Sequence, residues 1–285
     1  MKIKFSKMQA TGNDFVIIDA REIEIDWHAL SIELCNRHFG IGADGIILIL
    51  PSIVADFRMR IFNADGSEAQ ICGNGIRCFV KHVIDKKLVD RNCIAVETLA
   101  GIKYVEAYLK DDKVIGARVN MGTPIFKSSL IPVTLAEKEP IIDYPINIAD
   151  RLFKLSIVSM GNPHAVCFLE ESVDKFPLSV IGPLVENHKI FPQRTNLEIV
   201  NIMSDTRLKA RVWERGVGET LACGSGACAI GVISMVKALT KNNVDIILPG
   251  GVLTITWDGK SDVFLTGTVK EVFSGEYCYE ISKTS

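Results

Sequence analysis

The chain has 285 residues, 48% of them hydrophobic and 23% charged, enough apolar material for one large core or two of ordinary size. Thirty-two basic residues stand against 34 acidic ones with a pI near 6.2, and no basic run stands out. Such a chain lacks the field that holds a phosphate backbone, which excludes nucleic acid as a partner.

At the N-terminus, charges interrupt the apolar residues of Met1–Met8, so the unbroken stretch of a secretory signal is missing. No later segment reaches the roughly 20 apolar residues that span a bilayer. The expectation is a cytoplasmic protein, with no membrane partner, whose eight cysteines are reduced thiols. Runs rich in Val, Ile, Thr and aromatics predict strands at 45–50 and 57–62. A helix follows Cys72, where Ile76, Phe79, Val80, Val83 and Ile84 recur at helical spacing. Strands are predicted again at 93–98, 102–109 and 114–121. Gly and Pro in residues 119–124 mark a joint, and the following stretch to about residue 150 is rich in Pro and charge. Beyond it come strands at 155–159, 165–169, 197–202 and 208–213, a helix over 227–236, and strands at 252–257 and 263–269. The 227–236 segment is apolar nearly all round, apart from Ser234, which marks an enclosed helix.

The sequence also repeats itself. Arg60-Ile-Phe, Glu68 and Cys72-Gly-Asn-Gly reappear as Arg211-Val-Trp, Glu219 and Cys223-Gly-Ser-Gly, all at an offset of 151, while Gly12-Asn13 reappears as Gly161-Asn162 at 149. A period this long fits a duplicated domain rather than a solenoid. The predicted halves are 1–120 and 121–268.

Each repeated cysteine stands where a strand gives way to Gly-x-Gly and a helix. The free N–H groups of a first helical turn favour negative charge, so a thiol of ordinary pKa about 8.5 is pushed toward thiolate and a carboxylate can dock on the same donors. Two such sites in matching positions point to one substrate served by both. Inverting a stereocentre by proton transfer needs a base on one face and an acid on the other, exchanging roles with direction. Cys72 and Cys223 meet that need, and preorganised N–H donors in a dry site can stabilise the developing carbanion without an electron sink, so no cofactor is expected. The other six cysteines, Cys35, Cys78, Cys93, Cys167, Cys228 and Cys278, read as buried apolar residues. The sequence holds no Cys-x2-Cys pair, so no metal is expected. His164 lies in the repeated Gly-Asn element, and Asn63 and Glu214 occupy equivalent strand ends. Glu214 and Arg215 suit an ammonium and a carboxylate respectively.

Taken together, Gly12-Asn-Asp-Phe15, Gly40-Ile-Gly-Ala-Asp-Gly45, Phe62-Asn-Ala-Asp-Gly-Ser-Glu-Ala69, Cys72-Gly-Asn-Gly-Ile-Arg-Cys78, Ser159-Met-Gly-Asn-Pro-His164, Asn196 and the segment from Glu214 to Gly226 resemble the diaminopimelate epimerase family along nearly the whole chain. The resemblance implies interconversion of LL- and meso-diaminopimelate, a step toward lysine and peptidoglycan, with Cys72 and Cys223 as the proton-exchanging pair. It implies that Gly73, Asn74, Gly224 and Ser225 hold the reacting carboxylate and amine, and that Asn13, Asn63, Asn162, Asn196, Glu214 and Arg215 fix the distal end. His164 and Glu214 would tune the two thiols. The implied fold is α+β, two pseudo-symmetric domains, each a curled, mostly antiparallel sheet around a central helix, with a last strand (269–285) returning to the first domain, and the implied assembly is a homodimer. Ala10 stands where a glycine is frequent in the family and Phe273 where some members carry tyrosine. The rivals are a proline-racemase-like enzyme, a cysteine-dependent hydrolase or thiol peroxidase, and a small-molecule binding protein.

Overall fold

A computed structural model describes residues 1–135 and 139–279. In chain order its elements are β1 (Lys2–Ala10), β2 (Asn13–Asp19), α1 (Trp27–Cys35), β3 (Gly45–Leu50), β4 (Phe57–Asn63), β5 (Glu68–Ala69), α2 (Gly73–Asp85), β6 (Cys93–Thr98), β7 (Gly101–Lys110) and β8 (Lys113–Gly122). There follow β9 (Tyr144–Ile148), β10 (Arg151–Ser159), β11 (Pro163–Phe168), α3 (Leu178–Glu186), β12 (Asn196–Ser204), β13 (Arg207–Glu214), β14 (Gly218–Thr220), α4 (Gly224–Val236), β15 (Asn243–Leu248), β16 (Gly251–Thr256), β17 (Val263–Thr268) and β18 (Lys270–Cys278). This is a mostly-sheet α+β fold. The chain divides into two compact units, Met1–Val119 with Gly267–Ser285, and Asn120–Thr266.

In the first unit, β1 pairs antiparallel with both β2 and β18. Thr11 and Gly12, at φ 52° and 82°, make the two-residue turn between β1 and β2 whose twist suits a hairpin. The chain then crosses through α1, capped by Asp26, to lay β3 parallel to β2, and a parallel pair requires such a crossover. β3 reads Gly-Ile-Ile-Leu-Ile-Leu and is buried at five of its six residues, as befits a strand covered on both faces. β4 runs antiparallel to β3 and β5 but parallel to β6, and β6, β7 and β8 form a meander. α2 packs against β1, β2, β3, β4, β7 and β18, burying Ile76, Phe79, Val80 and Val83 completely; each is worth roughly 1.5–3 kcal/mol on burial.

The second unit repeats the plan. β10 and β11 are antiparallel, β11 and β12 are parallel across α3, and β13 is antiparallel to β12 and β14 but parallel to β15, which pairs with β16. α4 packs against β10, β11, β12, β15 and β16 and is buried continuously from Gly226 to Ser234. Ser234, the polar exception, satisfies its hydroxyl on Gly231 O and Thr240 Oγ1, both at 2.7 Å. A second core lies under α3, where Ile181 and Val185 meet Phe153, Leu155 and Leu197.

Some sequence expectations need correction. Within the Pro- and charge-rich stretch to residue 150, β9 pairs with β10, a strand with no counterpart among those predicted from sequence. Cys93 and Cys278 are exposed: one opens β6 opposite Glu106 and the other closes β18 opposite Lys2, at strand ends away from the buried helix. The last residues of the expected final strand, 280–285, lie outside the described residues.

Candidate active site

α2 and α4 are both 13 residues long and both begin after a cysteine that serves as N-cap. Cys72 (φ −137°, ψ 119°) and Cys223 (φ −115°, ψ 120°) are extended, and their sulfurs accept the N–H of Gly75 and Gly226, each at 3.4 Å. Each sulfur thus occupies the place where a capping oxygen usually sits. The glycines at these third positions stand in close quarters. A Cβ on Gly75 would come within 2.9 Å of Ile47 Cδ1, and one on Gly226 within 2.8 Å of Glu198 Oε1 and 3.4 Å of Cys223 Sγ.

The short strand before each cysteine is clasped by the same ion pair. Arg60 Nε and Nη2 bond Glu68 Oε1 and Oε2 at 2.7 and 2.9 Å, and Arg211 Nε and Nη2 bond Glu219 at the same two distances. The Arg and Glu identities of the repeat are therefore one bidentate fork made twice.

Around Cys72 the structure brings together Asn13 and Asn74. Asn13 Oδ1 lies 3.5 Å from both Cys72 Sγ and Asn74 Nδ2, while its Nδ2 donates to Asp44 Oδ2 at 2.6 Å. Asp44 in turn shares Arg37 with Asp14, whose carboxylate receives Arg37 at 2.8 and 3.0 Å and Lys7 at 2.8 Å. Burial works against ionising Asp14, but the hydrogen bonds of Arg37 and Lys7 outweigh it and hold the carboxyl well below its ordinary range. Arg77, fully buried one turn along α2, donates to Gly73 O, Asn74 Oδ1 and Thr11 Oγ1. Asn63 pairs with Gly45, next to Asp44, and has its amide on Ser67 Oγ at 2.9 Å.

Cys223 has a different setting. It is 6% exposed, with Ser225 Oγ at 3.5 Å. Burial first, and then the carboxylate of Glu214, push its thiol well above the ordinary value, against the opposing hydrogen bonds of Ser225 and Gly226 N–H. The expectation that the helix terminus drives this cysteine toward thiolate is corrected: one N–H at 3.4 Å is outweighed by desolvation and the Glu214 carboxylate. His164 is fully buried, with Nδ1 2.7 Å from Glu198 Oε1 and Nε2 2.9 Å from Asn162 Oδ1. Asn196 bridges Pro163 O (2.7 Å) and the N–H of Arg215 (2.9 Å), Arg215 Nη1 donates to Gln193 O (3.1 Å), and Glu214 accepts from Thr220. Gly73 and Ser225 are half-buried at the first turns of their helices, and Gly224 is buried.

Sequence reading missed Glu198 and gave Asp44 no role. Glu198 interrupts the apolar run Leu197–Val200 in β12, and an acidic residue at a position that should face the core is the signal that would have found it. Among the described residues, no three His, Cys, Asp or Glu side chains come together as a metal site, and no helix is long and apolar enough to cross a membrane.

The sequence profile of the diaminopimelate epimerase family matches residues 5–127 and 156–272. The chain is 49% identical over 276 residues to the diaminopimelate epimerase of Methanococcus maripaludis, covering 96% of this chain and 99% of the relative. It is 50% identical over 282 residues to that of Agathobacter rectalis, with the same two coverages. Among solved structures, a Bacillus anthracis phenazine biosynthesis protein of the PhzF family superposes with a TM-score of 0.72 at 17% identity, covering 98% of this chain and all of the other. A hydroxyproline epimerase from Agrobacterium vitis gives 0.70 at 14% identity, covering 97% and 91%. At such identities these two likenesses speak for the fold alone.

Proposed function

The chain belongs to the diaminopimelate epimerase family and is an isomerase, and from that premise we propose that Cys72 and Cys223 exchange a proton at one α-carbon of diaminopimelate, interconverting its LL and meso forms. The observation that carries this reading is the matched placement of the two thiols, each the N-cap of an equivalent buried helix.

The asymmetry of their surroundings supports a division of labour. Position 77, one turn along α2, is a buried arginine, and its counterpart at the offset of 151 is the neutral Cys228. Position 198 is a buried glutamate, and its counterpart is Ile47. A cation on α2 therefore attends Cys72, while burial and the Glu214 carboxylate act on Cys223, so in the free enzyme Cys72 is the base and Cys223 the acid, the roles exchanging with direction. N–H donors at the starts of α2 and α4, with Gly73, Asn74, Gly224 and Ser225, receive the reacting carboxylate and amine and stabilise the carbanion. Asn13, Asn63, Asn162, Asn196, Glu214 and Arg215 serve the distal centre, and His164 and Glu214 tune the thiols. The chemistry requires no cofactor. We place the enzyme in the cytoplasm, in lysine and peptidoglycan-precursor synthesis, as a homodimer.

Purified protein given LL-diaminopimelate is expected to form the meso isomer and to exchange the α-proton with solvent deuterium, and either Cys72→Ala or Cys223→Ala is expected to abolish both. Turnover of proline or hydroxyproline alone, or full activity in either alanine variant, would refute the assignment.

A further inference from the structure

The duplicated halves place the same residue, Asn13 and Asn162, just after a glycine turn leading into equivalent strands, yet the partners of the two amides are unlike. Asn13 gives Nδ2 to Asp44 and turns Oδ1 toward Cys72. Asn162 has Oδ1 on His164 Nε2 at 2.9 Å, and its Nδ2 has no hydrogen-bond partner among the described residues. Behind the two cysteine helices the contrast continues. Phe15 and Ile47 crowd Gly75, whereas Glu198 crowds Gly226, and His164 and Glu198 occupy the counterpart strand positions of Phe15 and Ile47. One copy backs its helix with an apolar pair and the other with a buried polar pair.

That polar pair fixes a protonation state. Glu198 is fully buried, its Oε1 is 2.7 Å from His164 Nδ1, and its Oε2 has no hydrogen-bond partner among the described residues. An ionised carboxylate buried with one oxygen unmatched is far costlier than a neutral acid in the same place. The ionisable groups acting on Glu198 are His164, which favours the carboxylate, and Glu214, which together with the dominant effect of burial opposes it and moves the carboxyl upward; Cys223, itself held as a thiol, adds no positive charge. With the proton on Glu198, Oε1–H donates to Nδ1, the imidazole must carry its own proton on Nε2, and Asn162 must accept with Oδ1.

We propose that Glu198 is a positioning residue that keeps its proton, donates it as a hydrogen bond to His164, and through His164 locks the Asn162 amide with Nδ2 presented as a donor to a substrate carboxylate. The duplicated asparagines are thereby given opposite polarity, Asn13 as an acceptor and Asn162 as a donor. An amino-acid centre, with its ammonium and carboxylate, requires both kinds. The role assigned to the substrate rests on the epimerase reading; the proton arrangement does not.

The experiment is nitrogen NMR of the full chain labelled with [15N]histidine, the five histidines being assigned with the help of His164→Gln. The expected His164 signature is neutral imidazole protonated on Nε2, retained in Glu198→Gln, whose amide can donate to Nδ1 in place of the acid. Infrared spectra should show a buried protonated carboxyl band that disappears in Glu198→Gln. In steady-state assays Glu198→Leu, which removes the donor, is expected to raise KM for LL-diaminopimelate roughly tenfold with a smaller change in kcat, while Glu198→Gln stays near the wild-type KM. A proton on His164 Nδ1 in the wild type, absence of the carboxyl band, or an unchanged KM in Glu198→Leu would each overturn the proposal. If Glu198→Leu does not fold, the wild-type spectra decide. If the wild type does not turn over diaminopimelate, the epimerase reading fails while the tautomer result stands by itself.

Discussion

At the scale of single residues, the two thiols differ by environment rather than by local geometry, because their capping distances are equal. Glu214 is the largest charged influence holding Cys223 as a thiol. Replacing it by glutamine removes a negative charge beside the sulfur, which eases ionisation. Glu214→Gln is therefore expected to move the pH midpoint of Cys223 alkylation downward, read by mass spectrometry of iodoacetamide-treated protein; a midpoint unchanged or moved upward would show that burial alone sets the thiol. The sequence disclosed the cysteines because Gly-x-Gly punctuation surrounds them. It hid Glu198 and the Asp44 contact to Asn13, since a carboxylate in an apolar strand acquires meaning only from what lies across the neighbouring strand.

Among the elements, those with uninterrupted periodicity could be read in advance. α2 and α4 carry their apolar stripes plainly, and β3 is a solid apolar run. β1 escaped because alternating lysines read as charge scattered through an N-terminus, when they are the outward residues of a two-residue period, Lys2 and Lys4 exposed and Ile3 and Phe5 buried. α3 escaped because Gly182 and Pro183 lie inside it, and both residues argue against a helix. Where α4 begins, the close approach at Gly226 has a measurable cost. Alanine there gains helix propensity of at most about 1 kcal/mol but must displace Glu198 Oε1, which is engaged with His164, at about 1–3 kcal/mol. Gly226→Ala should be the more destabilised in urea unfolding when compared with Gly75→Ala, whose methyl meets only the flexible end of Ile47; equal losses would show that the Glu198 contact yields freely.

For the molecule as a whole, the duplication was visible in sequence through the residues that close the Arg60–Glu68 and Arg211–Glu219 forks and through the glycines beside the cysteines. The change of offset from 151 to 149 falls within the helical crossovers, where α1 and α3 differ in sequence and in surroundings. The proposed pairing of two thiols on one small substrate implies sensitivity to oxidation. Mild oxidant is expected to inactivate the enzyme and reductant to restore it, with a Cys72–Cys223 disulfide found by peptide mapping; activity that survives oxidant, or loss that reductant cannot reverse, would count against the paired mechanism.

The contrast between Phe15 with Ile47 and His164 with Glu198 carries an evolutionary corollary. When a half-length ancestor works as two identical copies, every substitution is inherited by both, so neither can specialise alone. Once the copies are joined in one gene, a mutation in one leaves its sibling untouched. The arginine forks then record what both descendants still require, and the unlike pairs behind the helices record the independence that fusion made available.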